Sequence, residues 1–193
     1  MLVHVPEPYR YELLGQTLDD AAGEAFDKVA RFIGLGFPGG PALDLLARSG
    51  DPDAIRFPRA VTERDYDFSL SGLKTAVVRH VKAERAAGRH PKPEDVAASF
   101  QEATVEVQVA KTIAAARDKG VKAIVLGGGV VANSRLRDLM SRRAEELGLD
   151  LLIPPPELCT DNAAMIACVG FHRLARGERT DLDVGADPTM PLG

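Results

Sequence analysis

Lys122–Met140 reads KAIVLGGGVVANSRLRDLM: an apolar run, three consecutive glycines, then an asparagine that opens a helical pattern. The β-branched, apolar run of Lys122–Leu126 predicts a strand, and the spacing after it predicts a helix from Asn133 to about Leu147. A second strand, Leu149–Pro154 (LDLLIP), and a second helix, Thr160 to about Ala175, follow. Strands alternating with helices of this length imply right-handed crossovers and parallel pairing. In such a sheet, ligands sit beyond the carboxyl ends of the strands. Gly127, Gly128 and Gly129 occupy one such end. Glycine allows positive φ or close approach of a ligand, and the helix N-terminus that follows favours anionic groups. The competing reading is that the glycines only permit tight strand–helix packing. Asn133 likewise has two readings, a helix cap or an amide turned toward a base or a ribose.

Gly127–Ala132 also fits the loose dinucleotide pattern G-x-G-x-x-[GA]. That pattern needs an acidic residue at the far end of the next strand, whereas Asp150 stands at its beginning. No G-x-x-x-x-G-K-[ST] is present, which excludes a P-loop. The turn after the next strand, PELCTDNAAM, should bring Asp161 to the same sheet edge as the glycines. Thr160 or Asp161 can be a helix N-cap there, or Asp161 can serve as a metal-binding or catalytic carboxylate.

Upstream, MLVHV and YRYELLGQT flank PEP and predict an antiparallel hairpin. Asp20 then opens a helix whose apolar positions Ala22, Phe26, Val29 and Ile33 step by three and four. Glu24 and Asp27 share its polar face, and such pairs usually face solvent. GLGFPGGP ends this helix and places Pro41 in the first turn of the next. Residues 51–67 are irregular, and FSLSGLKTAVVRHVKAERAAG reads as a short strand followed by a helix. The strongest helix follows, with Val96, Phe100, Ala103, Val107, Ala110 and Ala114 on one face and Gly120 as C-cap.

A net charge of −4 disfavours nucleic-acid binding by bulk charge. The basic stretches Arg79–Lys92 and Arg135–Arg143 read as solvated helix faces. Cys159 and Cys168 fit no zinc spacing and read as reduced thiols of a cytoplasmic protein. No apolar run approaches the length of a membrane span.

Four segments, DDAAGEAFDKVARFIGLGFPGGP, DFSLSGLKT, GGGVVANSRLR and CTDNAAMIA, occur in the order and spacing of one family. The chain resembles the TsaD-type tRNA threonylcarbamoyladenosine transferases, long labelled O-sialoglycoprotein endopeptidases (Gcp glycoproteases), in their bacterial form. The resemblance covers nearly the whole chain. It implies an α/β fold: an actin-like ATPase, ribonuclease H-like lobe, with a mixed sheet flanked by helices and a helical insertion at about 41–95. It further implies that residues 1–193 form a single C-terminal lobe of a two-lobed protein, with the N-terminal lobe absent. The family's SGGHT loop and the first strand of this lobe would then precede Met1.

The same resemblance implies transfer of threonylcarbamoyl from threonylcarbamoyl-AMP to the N6 amine of the adenosine 3′ of the anticodon. Asp27 would hold the ribose hydroxyls, Gly40 would let the nucleotide approach the backbone, and Asn133 would contact it from the glycine turn. Asp161 resembles the carboxylate ligand of a divalent metal, Fe2+ or Zn2+. The two histidine ligands of that metal, an H-x-x-x-H motif, have no counterpart among His4, His80, His90 and His172. No catalytic residue is therefore assigned, and this chain alone is expected to be inactive. Implied partners are tRNA and TsaB- and TsaE-type proteins, with no membrane partner, and the isolated lobe is expected to self-associate through an unpaired strand edge.

Three alternatives stay open. A metalloendopeptidase would match the older label, but H-E-x-x-H and any nucleophile-elbow context are absent. A non-catalytic nucleotide-binding or assembly module fits the isolated chain. An actin-like sugar kinase would share the fold but would not be expected to carry CTDNAAM or SGLKT.

Overall fold

The computed structural model describes residues 1–60, 62 and 65–187. Strands β1 (Leu2–Glu7) and β2 (Arg10–Gly15) form the expected hairpin, turned at Pro8 and Tyr9. Helices α1 (Ala22–Phe32) and α2 (Gly39–Ala47) follow, then an irregular stretch leading to α3 (Ser71–Ala86). Helix α4 (Pro93–Lys119) is the spine, at about 40 Å for a rise of 1.5 Å per residue. It starts on a proline, with Glu94 and Asp95 in the first turn, and ends on Gly120 in the left-handed conformation, as the sequence predicts. Strand β3 (Ala123–Val125), helix α5 (Ser134–Glu146), strand β4 (Asp150–Leu152) and helix α6 (Ala163–Ala175) complete the order.

Two apolar cores share α4. Its N-terminal half packs with α1, α2 and α3 around Val29, Leu43, Val77 and Phe100, with Phe26 edge-on to Phe100 at 5.1 Å. Its C-terminal half packs with β3 and α5 through Val105, Val109, Ile113, Ile124 and Met140. The expected single face of α4 is therefore corrected. Val96, Phe100 and Ala103 are buried, but Ala110 and Ala114 are exposed and Val107 is half-buried. The helix serves two layers on different sides, so its apolar stripe shifts halfway along.

Strands β3 and β4 are parallel neighbours as predicted, pairing Ala123 with Asp150, Ile124 with Leu151 and Val125 with Leu152. The expected single mixed sheet is corrected to two separate two-stranded sheets, β1–β2 and β3–β4. Among the described residues, no strand pairs with both β1 and β3, so nothing joins the halves. Three helix starts also move. Helix α1 begins at Ala22 rather than Asp20, whose carboxylate instead pairs with Lys28 (2.7 Å) and Lys74. Helix α2 begins at Gly39, two residues before Pro41. Helix α6 is capped by Asn162, whose Oδ1 accepts the Met165 N–H at 3.0 Å, rather than by Thr160 or Asp161.

Candidate functional site

Parallel pairing sends the carboxyl ends of β3 and β4 to the same edge, so the glycine turn and the turn leading to Asp161 emerge together. A Cβ at Gly127, Gly128 or Gly129 would meet nothing within 4 Å, so close packing does not explain the three glycines. Gly128 has φ +88, a conformation that favours glycine, and the side of the turn is open. The packing alternative is thereby set aside.

Asn133 is 8% exposed and structurally engaged. Its Oδ1 accepts the Leu136 N–H at 2.9 Å, capping α5, and its Nδ2 donates to Gln101 Oε1 of α4 at 2.7 Å. One amide hydrogen is left over. Next to it, Ser134 donates from both N–H (3.1 Å) and hydroxyl (2.8 Å) to Asp44 Oδ1 of α2. Asp44 is a buried carboxylate whose other oxygen accepts from Arg48 at 3.0 Å. A negative charge beside the first turn of α5 complements its helix dipole.

Asp27 does not simply face solvent beside Glu24. Glu24 pairs with Lys28 at 2.6 Å, whereas Asp27 turns toward the start of α2. Its Oδ1 accepts the N–H groups of Gly39 (2.8 Å) and Gly40 (3.1 Å), satisfying two of the orphan donors of that helix. Its Oδ2 has no protein partner among the described residues. Gly39 is needed for the approach of α1 to α2, since a Cβ there would lie 2.6 Å from the Ala30 Cβ. Gly40 is different: nothing lies within 4 Å of its missing Cβ. Helix α2 thus joins the two parts of the site. Asp27 holds its first turn and Asp44, five residues after Gly39, holds the start of α5.

Arg137 ties the two strand-end turns together. Its Nε donates to Val131 O at 2.6 Å, and its Nη2 donates to Pro154 O at 3.0 Å and reaches Cys159 Sγ at 3.5 Å. The other arginines of the 135–143 stretch lie in ion pairs, Arg135 with Glu102 and Asp138, Arg142 with Asp138 and Arg143 with Glu146. Sequence reading missed Asp44, Gln101, Glu102 and Arg137. The available signal was polar residues inside apolar helical stretches, as in ALDLLA and ASFQEAT.

Asp161 is exposed beyond Cys159. Among the described residues, no three His, Cys, Asp or Glu side chains come close enough to hold a metal ion. His4 bonds to Glu12 at 2.9 Å, His80 stands edge-on to Phe57, and His172 lies against Tyr9 and Phe171. One carboxylate does not make a site for a divalent ion of this kind, so the residues present do not fit a metal by themselves.

Comparison with known proteins bears on this arrangement. The family model described as TsaD, tRNA N6-adenosine threonylcarbamoyltransferase, matches residues 1–168. A protein of that name from Symbiobacterium thermophilum is 54% identical over 192 residues, covering 100% of this chain and 56% of its own length. Those from Clostridioides difficile and Anaeromyxobacter dehalogenans are 48% and 55% identical, with 57% and 55% of their lengths covered. The chain therefore spans little more than half the length of these curated relatives. A crystal structure of HypF from T. kodakarensis superposes with a TM-score of 0.62 at 21% identity, over 81% of this chain and 20% of HypF. A full-length HypF in the phosphate- and nucleotide-bound form gives 0.53 at 18% identity, over 72% of this chain and 18% of that one. These two similarities establish a shared mixed α/β fold. From the family match and the relatives together, the chain belongs to the TsaD family of tRNA N6-adenosine threonylcarbamoyltransferases.

Proposed function

We propose that these 193 residues are the C-terminal, nucleotide-bearing lobe of an enzyme that transfers threonylcarbamoyl from threonylcarbamoyl-AMP to the N6 amine of a tRNA adenosine. The observation that carries this reading is Asp27, with Oδ1 fixed by two glycine N–H groups and Oδ2 left without a protein partner. A carboxylate held in this way is preorganised to accept a ribose hydroxyl. Gly40 and the open turn of Gly127–Gly129 leave room for the rest of an adenylate. The nucleotide-bound HypF supports the fold's suitability for such a ligand.

In this reading, Asn133 acts mainly by holding the glycine turn in place and offers its remaining amide hydrogen to the nucleotide. Asp161 contributes one donor to a metal whose other ligands come from outside these residues. The isolated chain then transfers no threonylcarbamoyl, because neither the metal nor a second wall positions the acyl carbonyl, and positioning is a large part of such catalysis. tRNA and TsaB- and TsaE-type proteins are partners of the whole assembly. The endopeptidase alternative has less support, since Cys159 is buried against Arg137 and Ser134 is bound to Asp44 without a histidine base.

Calorimetric titration of the chain with AMP tests the assignment. We expect weak binding that Asp27→Ala reduces at least tenfold, about 1.4 kcal/mol, with circular dichroism confirming a folded variant. Unaltered affinity in Asp27→Ala would overturn it.

A further inference from the structure

The two small sheets face one another across a slot of about 1060 Å3. Residues of β1 line one side, residues of β3 the other, and α4 contributes Ala103, Thr104, Val107 and Gln108 between them. Among the described residues, β1 pairs only with β2 and β3 only with β4. Each therefore presents its second backbone edge unpaired, and such edges are templates for another strand. A third group in the same place lacks a partner: Gln108 Oε1 is buried and accepts no hydrogen bond. Buried polar atoms are almost always paired, so an orphan acceptor lining a slot marks a missing donor.

An apolar small molecule would fill the volume yet leave both edges and Gln108 unsatisfied. An extended polypeptide supplies N–H and C=O groups on both sides and apolar side chains at alternate positions. The six residues of β1 set its length at about 20 Å. The curated relatives carry nearly as much polypeptide again as the matched region. We propose that the slot between β1 and β3 receives one extended apolar strand from that further length of the protein, pairing with both edges and donating a backbone N–H to Gln108. This inference rests on the fold and is independent of the nucleotide reading.

The test is a series of overlapping twelve-residue peptides spanning the unmatched part of the Symbiobacterium thermophilum relative, titrated into the 193-residue chain. One contiguous peptide should bind one-to-one and protect the amides of β1 and β3 from hydrogen exchange. N-methylation of alternate amides in that peptide should weaken binding at least tenfold. Gln108→Leu should leave the free chain as stable or more so, since it removes an unpaired acceptor, while weakening the peptide severalfold. Any self-association of the chain should be dissolved by the peptide. Absence of binding by every peptide, binding indifferent to N-methylation, or an oligomer that the peptide cannot dissociate would overturn the proposal, the last by giving the slot to a second copy.

Discussion

Asn133→Ala removes two interactions from the glycine turn at once. The cap bond to the Leu136 N–H is worth about 1 kcal/mol. Gln101 Oε1, on a residue 6% exposed, loses its donor and adds about 1–3 kcal/mol. The total is about 2–4 kcal/mol. For a chain of this length, the middle of that range lowers Tm by about 6–12 °C. Asn133→Ser keeps a capping oxygen but cannot reach Gln101, so its loss should be about 1 kcal/mol smaller. Urea unfolding followed by circular dichroism at 25 °C measures both. A double-mutant cycle with Gln101→Ala should return a coupling of at least about 1 kcal/mol, because the second change removes the orphan left by the first. An Asn133→Ala variant within about 0.5 kcal/mol of the parent, or a serine variant as damaging as alanine, would refute the reasoning.

Arg135→Met should destabilise by about 3 kcal/mol or more, since it leaves Glu102 charged and buried without its guanidinium, and Glu102→Leu added to it should restore much of the loss in the same assay. Asp20 is held below the usual carboxylate range by hydrogen bonds from Lys28 and Lys74. Asp19 is lowered too, burial pushing it up but being outweighed by Ser69 and the N–H groups of Leu70, Ser71 and Asp20. A depressed folded pKa gives stability that is fully present above the unfolded value near ~4 and is lost as pH falls through the folded one. Unfolding midpoints should therefore drop between pH 5 and 2, and Asp20→Asn should be less stable at pH 7 with a flatter acid slope. Gly50→Ala should cost about 1–3 kcal/mol or more, because its Cβ would fall onto the Glu94 carbonyl. Gly40→Ala, with open space around it, should leave unfolding unchanged and weaken AMP in calorimetry.

Much of this architecture follows from local rules that the sequence displays. The Gly120 cap, the Pro93 start, the hairpin and the parallel pairing of Lys122–Leu126 with Leu149–Ile153 all depend on residues close in the chain. What was hidden depends on distant partners. Nothing in ALDLLA indicates that Asp44 turns inward to meet Ser134, 90 residues on. The shift of the α4 stripe at Val105 reflects two layers packing on different sides of one helix, which periodicity alone cannot separate. The single expected sheet failed for the same reason, since local pattern identifies strands but not which edges meet. At the site, Asp27, Gly40, Asn133 and the three glycines were legible from motif and position. Their hydrogen bonds were not, and these make Asp27 and Asn133 structural as well as candidate binding residues.

The central claim is that an adenylate sits between the start of α2 and the glycine turn. Amide chemical-shift mapping of the 15N-labelled chain during titration with AMP tests it most directly. The account predicts saturable shifts concentrated at Gly39, Gly40 and Gly127–Gly129, absent in Asp27→Ala. Shifts confined to other elements, such as α6 or the β1–β2 hairpin, or no saturable shifts at these glycines, would contradict it.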